Sequence, residues 1–200
     1  MPTPQMRDRG KKPTRSERRT DRLLVVDVES TCWEKTPPAG QTSEIIQVGL
    51  VWLDTATLAV GEPELHWVKP VRSVVSPFCT QITGIVQAEV DRHGRPLAEV
   101  CGVIRDDVLK GEDFPWASYG DYDRRQFERN CRDLGARYPF GGRHDNAKTW
   151  AAMMLGWPAE IGLGQALPRL GLSFQGTPHR GDADALNIAR LIAEVFRRCR

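Results

Sequence analysis

The chain has 200 residues, enough for one sizeable α/β domain with a real core and hardly enough for two. Its 28 basic and 26 acidic residues leave a net charge of +2, so any attraction to nucleic acid has to come from local patches. The five cysteines (32, 79, 101, 131, 199) are odd in number and form no CxxC pair, and no apolar stretch approaches a leader core or a membrane span; this argues against a disulfide framework, a structural zinc site and a membrane protein, and a soluble cytoplasmic protein is expected.

Residues 1–20 carry seven basic side chains, three prolines and no hydrophobic residue beyond two methionines, the composition of a disordered basic tail. Two readings of it stand: electrostatic contact with a nucleic-acid backbone, and a solvated tail without a role. Arginine supplies 22 of the 28 basic residues, which fits bidentate phosphate binding and equally well a GC-rich genome.

From residue 21 onward a single domain is expected. A strand runs from Leu23 to about Glu29, the loop "KTPPAGQTS" follows, and "EIIQVGLVWLD" and "ELHWVKPV" read as a second and third strand of a meander. "SPFCTQITGI" opens a turn-rich segment. Pro96 to Lys110 is expected to be helical, with Leu97, Val100, Cys101, Ile104 and Val108 on one stripe. A short strand "FPWASYG" leads into the helix "DRRQFERNCRDLG", and further helices are readable at "AKTWAAMMLGW", "GLGQALPRLGL" and from Asp182 to Arg198. This order predicts an α/β fold with a mixed central sheet flanked by helices. Trp52, Trp67, Trp150 and Trp157 read as core, and His66, His93 and His144 as surface. "GLGQAL" follows no strand and lacks a third glycine, so it is no dinucleotide fingerprint.

Strand periodicity puts Leu23, Val25, Asp27 and Glu29 on one face of the first strand and Leu24, Val26 and Val28 on the other. Two acids on one face of a buried strand repel and lose hydration unless a cation sits between them; the alternative is a strand already ended, with solvated loop acids. The helices add to the first reading. Asp184 heads a stripe with Ile188, Leu191, Ile192 and Val195, while Asp182 lies off it and looks like an N-cap. Asp123 heads a stripe with Phe127, Cys131 and Leu134, while Asp121, about 200° round a helix from it, is expected as a cap or a solvated acid. Four hard oxygen donors from a strand end and two helix starts suit Mg²⁺ or Mn²⁺ in a two-metal phosphoryl-transfer site. His179, five residues before Asp184, is placed to take a proton from water.

"VVDVEST", "SYGDYDRRQF" and "HRGDADALNIARL", in that order, resemble the three motifs of the DEDDh branch of the DnaQ-like 3'-to-5' exonucleases, which have an RNase H-like fold. With "SPFCTQITGI" and "GLGQALPRLGL" between them, the resemblance over about residues 21–200 is greatest to the Eri-type exoribonucleases, the group including the histone-mRNA 3' exonuclease and the bacterial KapD-like proteins. It implies two Mg²⁺ or Mn²⁺ ions held by Asp27, Glu29, Asp123 and Asp184, with Asp27 touching both, and His179 as general base. It implies hydrolysis from the 3' end of single-stranded RNA or DNA to nucleoside 5'-monophosphates, RNA being favoured. Trp33, Phe78 and Thr83 of the "TGI" turn are the substrate-binding candidates; for Trp33 and Phe78, packing under a loop is the alternative. The chain departs from the pattern at Gly181-Asp182, where a more apolar pair is common, and in having no SAP-type RNA-binding domain before residue 21. Two rival functions remain, a DNA exonuclease of the same chemistry and a nuclease-fold binding module without turnover; the five intact positions disfavour the second.

Overall fold

The computed structural model describes residues 19–200. β1 (Arg22–Ser30), β2 (Ile45–Asp54) and β3 (Glu64–Trp67) form the expected antiparallel meander. β4 (Trp116–Ser118) then joins β1 in parallel, and β5 (His144–Asn146) joins β4 in parallel, so the sheet order is β3-β2-β1-β4-β5. β1 is the central strand, and its two faces feed separate cores. Leu24, Val26 and Val28 pack with Val100, Ile104, Trp116 and Phe127, whereas Leu23 and Val25 pack with Ile188, Ala189 and Ile192. Each such side chain contributes about 1.5–3 kcal/mol on burial. A one-residue slip would exchange the two faces and put Asp27 and Glu29 into the wrong layer.

The segment expected to be turn-rich is in fact helical. α1 (Pro77–Thr83) is started by Ser76, whose hydroxyl accepts the Cys79 N–H at 3.0 Å, with Pro77 at the first helical position, and is stopped by Gly84 at φ 70°. α2 (Gln87–His93) and α3 (Leu97–Val103) follow, and α3 widens into a π turn over Ile104–Val108, where Leu109 N donates to Ile104 O at 2.9 Å. α4 (Tyr122–Leu134) ends at Gly135 in the left-handed conformation; α5 (Ala147–Met154), α6 (Leu163–Arg169) and α7 (Gly181–Arg198) complete the fold. α7 lies on the sheet face opposite α3 and α4.

Several expectations are corrected in detail. His144 is not on the surface: β5 buries it, with its side chain 6% exposed, its ring 4.4 Å from that of Trp116 and its Nε2 2.8 Å from Ser118 Oγ. A three-residue strand is too short to show alternation in sequence. His66, also read as surface, lies half-buried near Glu64 and Arg95, while His93 is exposed. Trp116 is the tryptophan at the centre of the core, and Trp52, Trp67, Trp150 and Trp157 line its margins half-buried. Of the expected basic tail, residues 1–18 lie outside the described residues. Arg19 is anchored, 2.6 Å from both Asp21 and Glu112, and the Thr20 carbonyl accepts from Thr55 Oγ1 at 2.6 Å. All five cysteines are free thiols, and among the described residues no helix is long and apolar enough to cross a membrane.

Candidate active site

The carboxyl ends of the parallel strands β1 and β4 open on the same edge of the sheet, and the first acids come from β1 itself. Asp27 and Glu29 project from the face covered by α7, so the helix that packs on Leu23 and Val25 brings its own acid, Asp184, to them. One ligand oxygen from each of Asp27, Glu29 and Asp184 lies within 4.8 Å of the other two, and all three residues are half-buried. Asp123, the second residue of α4, lies outside that group of three but near enough to act electrostatically on Asp27 and Glu29. It is only 5% exposed, and its Oδ1 accepts the Val28 N–H at 3.0 Å. Asp121 behaves differently: it occupies the N-cap position without a capping hydrogen bond, and its 40% exposed side chain lies 3.4 Å from Arg124.

The electrostatics of this cluster are those of carboxylates crowded without a cation. Burial holds Asp27 well above the usual carboxylate range, and repulsion from Asp123, Asp184 and Glu29 adds to it. Glu29 is pushed up to about 8 by burial and then by Asp184 and Asp123, with Arg180 acting in the opposite sense. Burial raises Asp123 to about 6 against the pull of the Val28 N–H, and raises Asp184 against the influence of His179 and of backbone N–H groups. An arrangement of hard oxygen donors in which each anion raises the proton affinity of the next is suited to a divalent ion. The residues present therefore fit such a cofactor.

The start of α7 is set by a close backbone contact. Gly49, the cross-strand partner of Asp27, meets Gly181 so tightly that a Cβ on Gly49 would stand 1.9 Å from Gly181 O. Gly181, in the pair where the resemblance has more apolar residues, adds to the close approach, since a Cβ there would stand 3.0 Å from Gly49 N. Gln47, the cross-strand partner of Glu29, is fully buried; its Oε1 accepts Gly181 N–H at 3.2 Å and its Nε2 has no partner among the described residues. The helix is preceded by Arg180 at the N-cap, not Asp182, because the Asp184 carboxylate reaches back to the Arg180 N–H at 3.1 Å. Arg180 in turn lies 3.7 Å from Glu89 and 5.1 Å over the Trp67 ring. His179 is exposed and adopts φ 61°, a conformation that costs a non-glycine residue energy; its loop is held after it by Arg180 N–H on Asp184 and before it by Gln175, whose N–H donates to Asn187 Oδ1 and whose carbonyl accepts from Asn187 Nδ2.

Trp33 and Phe78, the aromatic candidates, are half-buried. Thr83 is 3% exposed, and its hydroxyl donates to Cys79 O at 2.9 Å and accepts from Ile85 N at 3.0 Å, so it is committed to the turn after α1 rather than open to a substrate. Glu44 and Gln47 escaped the sequence reading. Glu44 is buried and its carboxylate accepts from the N–H groups of Val71 and Arg72 at 2.9 and 2.7 Å and from Ser73 Oγ at 2.7 Å, tying the loop before α1 to the end of β1 through Thr31. Their signal was a polar side chain within or beside the apolar run "EIIQVGLV", where a buried polar group is more telling than a buried apolar one.

A five-stranded mixed sheet with an acidic cluster at the end of its central strand, covered by helices, is the RNase H-like architecture of the DEDDh exonucleases. The chain belongs to the RNase_T exonuclease family, which residues 24–192 match. It is 30% identical over 184 residues to the 3'-5' exoribonuclease 1 of Homo sapiens, covering 88% of this chain and 52% of that protein; the chain spans about half the length of such curated relatives. Among solved structures, it superimposes on the nuclease domain of 3'hExo, a DEDDh family member bound to rAMP, with a TM-score of 0.80 and 28% identity over 90% of this chain and 93% of that one. A 3'-exonuclease that recognises the 3' end of the histone mRNA stem-loop gives a TM-score of 0.79 at 28% identity, covering 91% and 65%.

Proposed function

We propose that this chain is a divalent-metal-dependent 3'-to-5' exonuclease that removes nucleoside 5'-monophosphates from single-stranded RNA. The observation that carries the reading is the convergence of Asp27, Glu29 and Asp184 within 4.8 Å, with Asp123 acting electrostatically on Asp27 and Glu29, in a chain of the exonuclease family. Asp27, Glu29, Asp123 and Asp184 would hold two ions, Mg²⁺ or Mn²⁺, which supply positive charge for the attacking and leaving oxygens of the displacement.

The remaining work falls to the chain's own groups. His179, on an exposed loop beside Asp184, takes the proton of the attacking water and is free to pass it to solvent. Asp184 acts twice, facing the cluster and anchoring the histidine loop through the Arg180 N–H. Asp123 braces β1 through Val28 while directing negative charge at Asp27. Trp33 and Phe78 hold the 3' end by stacking, which tolerates any base. The preference for RNA is supported by the relatives named exoribonucleases. The free thiols support a reducing, cytoplasmic setting.

The test is degradation of end-labelled single-stranded RNA, single-stranded DNA and structured RNA in Mg²⁺, Mn²⁺ or EDTA. Loss from the 3' end in either metal and none in EDTA is expected, with RNA the faster substrate. Faster loss of DNA would reassign the substrate, and undiminished degradation in EDTA would refute the chemistry.

A further inference from the structure

Asp184, Asn187 and Arg190 follow one another at every third position of α7, so their side chains form one slanting ridge on the helix. The chain that leads into α7 runs back along this ridge and is bonded to it three times. Arg190 Nη1 donates to Ser173 O at 2.8 Å, Asn187 holds Gln175, and the Asp184 carboxylate accepts the Arg180 N–H at 3.1 Å. Phe174, between the first two ties, packs against the core cluster that contains Leu191 and Val195. From Gly176 to His179 the chain is exposed, so the ties at Gln175 and Arg180 bracket the histidine.

Asn187 is fully buried, and the hydrogen-bonding capacity of its amide is all in use. Oδ1 accepts from Gln175 N–H at 3.0 Å and from Arg190 Nη1 at 2.8 Å, while Nδ2 donates to Gln175 O and to Ala183 O, both at 2.8 Å. Taking both the N–H and the carbonyl of Gln175 reproduces the two-bond exchange of a paired strand residue, which fixes the direction of the backbone as well as its place. Gly176 follows at φ 84° and lies so close to the helix that a Cβ there would stand 2.9 Å from Ala183 Cβ. His179, three residues on, stands at φ 61°, a conformation that a histidine on a free loop would leave. A loop tied at Arg180 alone could relax that angle; the second tie, at Gln175, prevents it.

We propose that Asn187 is a positioning residue for the general base: by clamping Gln175 it keeps His179 in its strained conformation beside Asp184, while its own burial keeps it away from substrate. This rests on the exonuclease reading, with His179 as the base, and deepens it. Gln175 is exposed, so water can satisfy its N–H and carbonyl when the clamp is removed, and the loss falls on the rate rather than on substrate binding.

The experiment is a double-mutant cycle read as kcat and KM on a single-stranded RNA oligonucleotide. Asn187→Leu, which keeps the volume and removes both bonds to Gln175, should lower kcat about tenfold, the weight of the backbone freedom returned to about one residue, and leave KM within about twofold. Asn187→Asp, which keeps an acceptor for the Gln175 N–H, should recover part of the rate. In a His179→Ala background the Asn187→Leu change should lower kcat by less than about twofold, because no base is left to misplace. Equal losses in the two backgrounds would mean that Asn187 acts on the metal site or on the fold at large, and would overturn the proposal, as would Asn187→Leu at the wild-type kcat. If thermal melts show Asn187→Leu unfolded, Gly176→Ala takes its place, since at an exposed position it pushes the same loop off Ala183; the same non-additivity with His179→Ala is expected, and equal losses again overturn the proposal. A His179→Ala variant at the wild-type rate removes the base, and an inactive wild-type protein removes the exonuclease reading; the proposal falls with either, whereas additive losses strike it alone.

Discussion

Two acids two residues apart in "GDYDRR" should differ in their effect on catalysis by orders of magnitude. Asp123→Asn keeps an oxygen for the Val28 N–H, now 3.0 Å from Oδ1, so the local fold should survive. What is lost is one of the charges pressing on Asp27 and Glu29. With its carboxyl raised only to about 6, Asp123 is largely ionised at pH 7, so the charge removed is real. A unit charge about 4 Å from another is worth about 4 kcal/mol at an effective dielectric of 20, and a divalent ion would feel no less; a loss of about 10³-fold in turnover at fixed Mg²⁺ follows. Asp121→Asn removes a half-exposed partner of Arg124, worth about 0–1 kcal/mol, and leaves an equally good N-cap residue. Its activity should stay within about tenfold. The assay is the rate of 3'-end loss from labelled RNA across a Mg²⁺ titration, with thermal melts to show that both variants fold. An inactive Asp121→Asn beside an active Asp123→Asn would refute the helix-face argument and reassign the third acid.

Other expectations concern the histidine, the protons and the glycine contact. His179→Ala should slow turnover by about 10²–10⁴ while oligonucleotide binding is retained; a rate within a few-fold of wild type would remove His179 from the chemistry. Because Glu29 and Asp123 are raised in the fold, to about 8 and about 6, they favour the folded state when protonated, and that contribution is lost as pH rises through these values. The metal-free protein should therefore melt at a lower temperature at pH 9 than at pH 5, and Mg²⁺ should raise the melting temperature more at pH 9, where fewer protons must be displaced; an equal Mg²⁺ effect at both pH values would contradict this. Gly49→Ala should cost about 1–3 kcal/mol by driving a Cβ into Gly181 O, and should lower kcat by displacing the His179 loop. Gly164→Ala, in α6 with open space around it, should be neutral or stabilising in the same melts.

Some of this site is legible from local periodicity alone. The alternation in "LLVVDVES" places Asp27 and Glu29 on the same face as Leu23 and Val25, and the stripes behind Asp123 and Asp184 follow from the 3.6-residue repeat, because side-chain direction along an isolated strand or helix depends only on backbone geometry. The meander and the boundaries of α4 and α7 were readable for the same reason. Tertiary structure decided what depends on the meeting of distant segments. It made β5 a strand by pairing it with β4, buried His144, committed the Thr83 hydroxyl to a turn, and made Arg180 rather than Asp182 the cap of α7. The approach of Gly49 to Gly181 and the amide of Gln47 opposite Glu29 join residues 132 and 18 positions apart in sequence. No local pattern encodes such pairs, because register between strands and docking of helix on sheet are set by packing over the whole core, and the energy of each contact exists only once the chain has closed on itself.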